Sequence, residues 1–403
     1  MEGRARYSVR RRGFLIGAAG IGAACLLPMY LREAPPRIAK RGTVGDIGGA
    51  AVPSMRLSLA DFGGVPGAGR DVLVSAFNRV LTALDKRGGG ILFVPPGVYD
   101  FGGYADPAYI LLCRNVRNVA ISAYGATFIA TTSANVVTNM FYFFNFHNVT
   151  IAGANFLDRG FNPWFDWKGM VCVGIQADQA SSGLNMVDCY AESVVGLLTT
   201  NNDAASQRHL SDVTVQGEVR NSYYGVGASF IMKNVNVELV CHNIRRAFIA
   251  CSLRKAKIAI AASNTRAWPG SNGLVSLATN GASTGNVENV RVHVDVAGDC
   301  IHSSYVHFYH QGPEVEGYIR DVDATVNVTD SNSTGTLFLF DHEVDGVQRR
   351  TGRTWDRISL HGSVPKGFAG KIISNPSVTT APGRIHLDRH LARVGVAGPL
   401  VIQ

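Results

Sequence analysis

Between His302 and His310 the chain places His302, Tyr305, His307, Tyr309 and His310, a density of imidazole and phenol unusual for a sequence holding 11 His and 13 Tyr. Imidazoles exchange protons near neutral pH, and a phenol supplies or accepts one when it is positioned. Beside the carboxylate of a uronic acid, such a pair would act as base and acid in β-elimination. Arg245, Arg246 or Arg320 would neutralise the sugar carboxylate. The plainer account is a polar loop in which His302 is half-buried in its own strand. Carboxylates form a second set. Asp299, Asp203 and Asp341 each sit beside a short apolar run, and two carboxyls roughly 6.5–9.5 Å apart hydrolyse a glycosidic bond with inversion. A third set is built to hold sugars: Tyr223-Tyr224 and Arg245-Arg246, with Tyr305, pair ring faces with cations. The segment DRGFNPWFDWK (158–168) offers Trp164 and Trp167 as platforms. For each residue alone an ordinary solvated turn, or for the tryptophans an aromatic plug on the structure's side, is the competing account. Seven cysteines show no C-x-x-C, and no His-rich spacing accompanies them, so no metal centre is expected. Asp341, Glu343 and Asp345 have oxygens that would suit Ca²⁺ in a lyase, at a spacing that is not diagnostic. No organic cofactor is expected.

These residues need a scaffold, and the sequence supplies a repeating one. From residue 115 on, short β-rich runs open with Asn or Asp and continue in apolar alternation. They begin at Asn118, Asn148, Asn185, Asp212, Asn234, Asn289, Asp321 and Asp356, with an unmarked member around Ala256. The intervals run from 22 to 37 residues, which means stacked units, each unable to bury its apolar side alone. Second strands recur at Val194–Thr200, Tyr223–Ser229, Ala247–Ser252, Gly273–Thr279, Cys300–Ser304, Thr336–Phe340 and Lys371–Ser374. Two or three strands per turn with almost no helical pattern predict an all-β, right-handed parallel β-helix. A sandwich would show Asn-Gly or Asp-Gly hairpins at regular spacing along the chain, and only Asn272-Gly273, Asn280-Gly281 and Asp345-Gly346 are of that kind. Aligned by their strands, Tyr223-Tyr224, Arg245-Arg246, Asn272, Asp299 and Thr336 fall near strand starts. Asn201-Asn202-Asp203, Asn280, Tyr305 and Asp341-His342-Glu343 fall past strand ends. Such a column has what an oligosaccharide groove requires: rings, cations, amides and acids.

The segment 61–101 gives the solenoid its lid. Leu73, Phe77, Val80 and Leu84 make one apolar face of a helix over 71–87, with Asp71 as N-cap and Gly88-Gly89-Gly90 as its end. Ile91 to Val94 then form a buried strand closed by Pro95-Pro96-Gly97. This order, with Asp61-Phe62-Gly63, Gly69, Asp71, Gly89-Gly90 and Pro95 to Tyr99, resembles the N-terminal capping module of the pectate-lyase superfamily, which includes polygalacturonases, polysaccharide lyases and phage tailspikes. The resemblance implies the parallel β-helix and action on polysaccharide. Gly298-Asp299-Cys300-Ile301 looks like the Gly-Asp-Asp-Cys-Ile strand of polygalacturonases, implying a proton-transferring role for Asp299. Their upstream Asn-x-Asp corresponds to Asn201-Asn202-Asp203, and their downstream His-Gly is echoed by His310-Gln311-Gly312. One of the paired aspartates and the Arg-Ile-Lys motif are missing.

The first 41 residues read as an address and linker. Arg11-Arg12-Gly13-Phe14-Leu15-Ile16 fits the twin-arginine export pattern, and a Gly/Ala-rich apolar run follows to Leu27. The expected partner is the twin-arginine machinery and the expected location periplasmic or secreted; an uncut basic anchor is the alternative. No stable membrane span is expected in the mature chain, residues 42–403, which reads as a single solenoid domain. Residues 1–41 carry +7 of the formal net charge of +8, leaving the rest at +1, so the basic balance is no evidence for nucleic acid. The cysteines are expected as buried thiols. The whole predicts an exported enzyme hydrolysing an acidic polysaccharide. A lyase or uronate epimerase, and a non-catalytic glycan-binding solenoid, are the alternatives.

Overall fold

The computed structural model describes residues 55–394 apart from 105–107, 134–135, 162–167, 177–180, 201–208, 229–230, 267–272, 281–284, 312–316, 345–346, 349–354 and 375–384. The export pattern, Trp164, Trp167 and Asp203 therefore lie outside the described residues. Among the described residues, the strands stack into two large sheets of 15 and 11 strands. Consecutive turns pair in parallel, as in Ile231–His242 on His209–Arg220 and Leu253–Ser263 on Ile231–His242. The chain is a right-handed parallel β-helix. A short antiparallel return, Val347–Gln348 on Glu343-Val344, is the exception among these pairings.

One corner of each turn of the first sheet is held by a residue at positive φ. Asn118, Asn148, Gly183, Asp212, Asn234, Lys255, Asn289, Asp321 and Arg357 stand in register, with φ between 49° and 72°. Asn and Asp tolerate this left-handed corner because their short polar side chains bond locally. Here the side chains also bond one another: Asn148 Nδ2 donates to Asn118 Oδ1 (3.0 Å) and Asn234 Nδ2 to Asp212 Oδ1 (3.0 Å). The repeat marks at Asn118, Asn148, Asp212, Asn234, Asn289 and Asp321 are this column. Three expectations are corrected: the corner is Gly183, not Asn185, Lys255 rather than Ala256, and Arg357 rather than Asp356. Glycine takes positive φ without cost, so it leaves no side-chain mark. Asn148→Ala removes an almost fully buried amide and its ladder bond, and should cost about 1–2 kcal/mol, read as a lowered urea midpoint with unchanged m-value.

The lid is the helix Arg70–Asp85. Leu73, Phe77, Val80 and Leu84 are fully buried as the spacing requires. Its N-cap is Gly69, without a side-chain cap bond; Asp71 sits inside the first turn instead, where its charge favours the helix dipole. Phe77 drives into the open end of the coil, 5.9–6.4 Å from Phe101, Phe128 and Phe141. Inside the coil the six described cysteines are free, and five of them are buried. Burial pushes the Cys113 and Cys189 thiols up to about 12.

The second sheet has a bend that fixes what its outer face displays. In successive turns two consecutive residues face inward: Met140-Phe141, Leu197-Leu198, Ala247-Phe248, Leu274-Val275, Tyr305-Val306 and Leu337-Phe338 are all fully buried. At the bend, Ala247 and Phe248 N–H groups both donate to the Leu274 carbonyl (2.8 and 3.2 Å). The residues on either side of each inward pair therefore share the outer face.

Candidate functional site

Before the bend, the outer face carries Gly196, Tyr224 and Arg246 in register. Tyr223 and Tyr224 meet edge to face (4.4 Å between centroids). The Arg245 guanidinium lies 4.5 Å from the Tyr223 ring centre, and that of Arg246 5.8 Å from Tyr224. Arg246 Nη1 also donates to the Tyr224 hydroxyl (3.5 Å). Burial lifts the Tyr224 phenol to about 12 against the opposing pull of Arg246. Arg245, Arg246 and Tyr224 are each partly exposed. The four residues read from the sequence as sugar-binding thus form one aromatic–cationic cluster, a geometry that suits both a sugar ring and a carboxylate.

After the bend, Gly174, Thr199, Gly227, Ile249, Ser276, His307 and Leu339 follow one another in register. The floor is mostly small residues and tightly fitted. A Cβ on Gly273 would lie 2.6 Å from Ser304 Oγ and 3.0 Å from His307 Cβ. Two residues further along come Ala278, Tyr309 and Asp341. His307 Nε2 lies 3.6 Å from Asp341 Oδ2, the His307 side chain 3% exposed and that of Asp341 15%. Among the described residues neither ring nitrogen of His307 has a hydrogen-bond partner, and the Tyr309 ring packs 5.2 Å away. A buried imidazole thus stands directly behind a partly exposed carboxylate. Sequence reasoning placed Asp341 past the strand end. It lies within Thr334–Val344, on the outer face.

Other expected site residues lie elsewhere. Tyr305 is the first of an inward pair, fully buried, its hydroxyl donating to the Cys300 and Thr334 carbonyls (3.2 and 3.1 Å); it presents no face to a sugar. His302 is 4% exposed, its Nε2 2.8 Å from Thr265 Oγ1, and burial holds its pKa down to about 3. Folding favours its neutral form, so this stability is present above about pH 6.5 and drains as pH falls towards 3. Wild type should lose about 2 kcal/mol between pH 7 and pH 5 through this group, and His302→Gln should flatten that slope in chemical denaturation. Asp299 belongs to a corner rather than the face. Gly298 takes φ 71° against Asn264, whose Oδ1 accepts from the Asp299 N–H (3.2 Å). The Asp299 carboxylate pairs with Arg266 (2.8 Å), both about half exposed. The strand Ile301–Gln311 runs longer than the sequence suggested and shifts register between Ile301 and Ser304. Ser304, not Asp299, therefore stands level with Thr336. His310 is in this strand opposite His342. Among the described residues no three His, Cys, Asp or Glu groups converge as metal ligands, and no helix is long and apolar enough to cross a membrane.

The fold and this face define the class: a right-handed parallel β-helix with an aromatic–cationic cluster and a His–Asp pair on one outer sheet face. No family profile matches the chain, and no curated protein matches it. Solved structures do. The tailspike protein of E. coli bacteriophage HK620, in complex with a pentasaccharide, is similar at TM-score 0.51 and 14% identity, over 83% of this chain and 66% of the tailspike. The chain thus spans just under two thirds of that relative's length. An exopolygalacturonase from Thermotoga maritima is similar at TM-score 0.37 and 14% identity, over 74% of this chain and 93% of its own. The A-module of a mannuronan C-5 epimerase from Azotobacter vinelandii gives TM-score 0.29 at 14% identity, over 82% and 99%.

Proposed function

We propose that the chain binds an acidic polysaccharide across the outer face of the second sheet and hydrolyses its glycosidic bonds, after export by the twin-arginine route to the periplasm or the cell exterior. The observation that carries this reading is the sharing of one face by Tyr223, Tyr224, Arg245 and Arg246 with the Asp341–His307 pair. Arg246 and Asp341 are three strands and five residues apart. At about 4.8 Å per strand and 3.3 Å per residue this is roughly 20 Å, the span of an oligosaccharide rather than a single sugar. Asp341 transfers the proton, and His307 behind it holds the carboxyl in position. Glu343, two residues on in the same strand, is the second acid, since an inverting hydrolase uses two carboxyls. The pentasaccharide of the similar tailspike supports a saccharide as the ligand of this fold.

The test incubates residues 42–403 with polygalacturonate, alginate and neutral glucans, following reducing ends and absorbance near 235 nm together. New reducing ends without absorbance are expected. Absorbance rising with reducing ends would replace hydrolysis by elimination, with His307 as base. Binding without either signal would make the solenoid a glycan-binding protein.

A further inference from the structure

The corner column described above is broken at two rungs, and both substitutes are cations. Among its nine members only Lys255 (φ 55°) and Arg357 (φ 49°) are neither Asn, Asp nor Gly. A long side chain at positive φ is strained. Arg357 is compensated by a two-pronged pair with Asp321, Nη2 to Oδ2 at 2.8 Å, which holds the Asp321 carboxyl low. Lys255 has no such partner: among the described residues it makes no side-chain hydrogen bond or ion pair. It lies between Asn234 and Asn289 in register, so it also interrupts the amide ladder.

Its surroundings repeat the pattern. Lys257 stands directly opposite Arg291 on the next strand, and Lys233 directly opposite Arg254; like charges facing across a parallel or antiparallel pair oppose folding. On their other sides Arg254 faces Glu288 and Arg291 faces Asp323, whereas Lys255 and Lys257 have no acid in register. Burial first, and then the Lys233 and Arg254 charges, lower the pKa of His209, and among the described residues Arg254 Nε is buried without a hydrogen-bond partner. Lys255, Lys257 and Arg291 are exposed, and they line a depression of about 610 Å³ together with Asn234, Asn236 and Asn289. The acids on its far wall are engaged, Asp321 by Arg357 and Asp323 3.6 Å from His361 Nε2. Beyond residue 41 the chain is almost neutral, so this concentration of cations is local. A strained lysine and two repulsive pairs in one place are departures from local rules of the kind found where a ligand supplies the missing partner.

We propose that this corner is a second binding site, for the anionic groups and hydroxyls of an acidic polysaccharide: carboxylates or sulfates meet Lys255, Lys257 and Arg291, and hydroxyls meet the flanking amides. It lies on the first sheet, off the face assigned above to cleavage, so it anchors polymer without breaking it. The choice of polysaccharide rests on the functional reading; the cationic site does not.

Affinity electrophoresis of the full chain in gels containing polygalacturonate, alginate or heparin tests it, run against Lys255→Asn and the triple variant Lys255→Asn/Lys257→Gln/Arg291→Gln. Lys255→Asn restores the ladder residue, so it should fold with equal or higher Tm. The triple variant should lose at least tenfold in retardation by one of these polymers, wild-type retardation should fall with added salt, and Tyr224→Ala/Arg246→Ala should keep the salt-sensitive part. Equal retardation of wild type and triple variant overturns the site, as does no retardation of wild type by any of the three. Retardation lost in the triple variant, with no reducing ends released by wild type from any polymer, keeps this site and removes the hydrolase reading. Reducing ends released equally by both, with equal retardation, does the reverse.

Discussion

Asp341→Asn should lower kcat on a cleaved acidic polymer by about 10²–10⁴-fold, the contribution of a positioned proton-transfer group, while retaining polymer binding and Tm. The substitution keeps the shape of a side chain that is only 15% exposed, so folding is not at issue. His307→Gln tests the other half of the pair differently. His307 is buried behind the carboxylate and reaches the substrate only through Asp341, so it is a positioning residue. Its loss should lower kcat less, by about tenfold, with polymer binding retained, because the side chain packed 3.6 Å from Asp341 Oδ2 no longer holds that carboxylate in place. An undiminished kcat in His307→Gln would separate it from the chemistry. Undiminished cleavage by Asp341→Asn would remove Asp341 from the reaction altogether.

Asp158→Ala should be the most damaging single change to stability, about 3–5 kcal/mol, and should lower the Tm by roughly 10 °C for a chain of this size. Asp158 is 1% exposed. Its carboxylate accepts from the Thr132 N–H (3.0 Å) and hydroxyl, the Gly160 N–H (2.9 Å) and the Met170 N–H (2.8 Å). Removing it leaves two buried backbone donors, on Thr132 and Met170, and the Thr132 hydroxyl without an acceptor, each costing about 1–3 kcal/mol before relaxation; the Gly160 N–H is exposed and turns to water. Asp158→Asn keeps one acceptor oxygen and should lose about half as much. Hydrogen exchange reads the mechanism directly: the Thr132, Gly160 and Met170 amides should lose protection first. A drop in Tm with those amides still protected would place the damage elsewhere.

The fold was largely legible because its commonest marks are chemical. Asn118, Asn148, Asp212, Asn234, Asn289 and Asp321 announce a left-handed corner, and apolar alternation after each one announces the strand. Gly183, Lys255 and Arg357 occupy the same corner but carry no such mark, so the repeat was read a residue or two out at those turns. The candidate face was half legible. Tyr223, Tyr224, Arg245 and Arg246 were found because adjacent pairs recur at matching strand starts. Tyr305, His302 and His307 were not separable by alternation, since two inward residues in succession at the bend reverse the parity of everything beyond it. That reversal put Tyr305 in the core and left His307 behind Asp341. Asp299 drew attention through its neighbours, yet Gly298 marks those residues as a corner where a backbone turn, not an acid, is required.

The bend has one more consequence, and it concerns length. From Asp212 to Asn234 to Lys255 the coil closes in 22 and 21 residues, whereas the next interval, to Asn289, takes 34. The shorter turns keep the bend, the inward pair and the corner, so they already contain everything a turn needs to stack. A tandem duplication of residues 234–254 would thus be expected to slot in as an extra layer, adding a second copy of Arg245-Arg246 one strand, about 4.8 Å, further from Asp341. The molecule is in this sense a ruler whose graduations can be added singly, and the oligosaccharide length it prefers should lengthen with them.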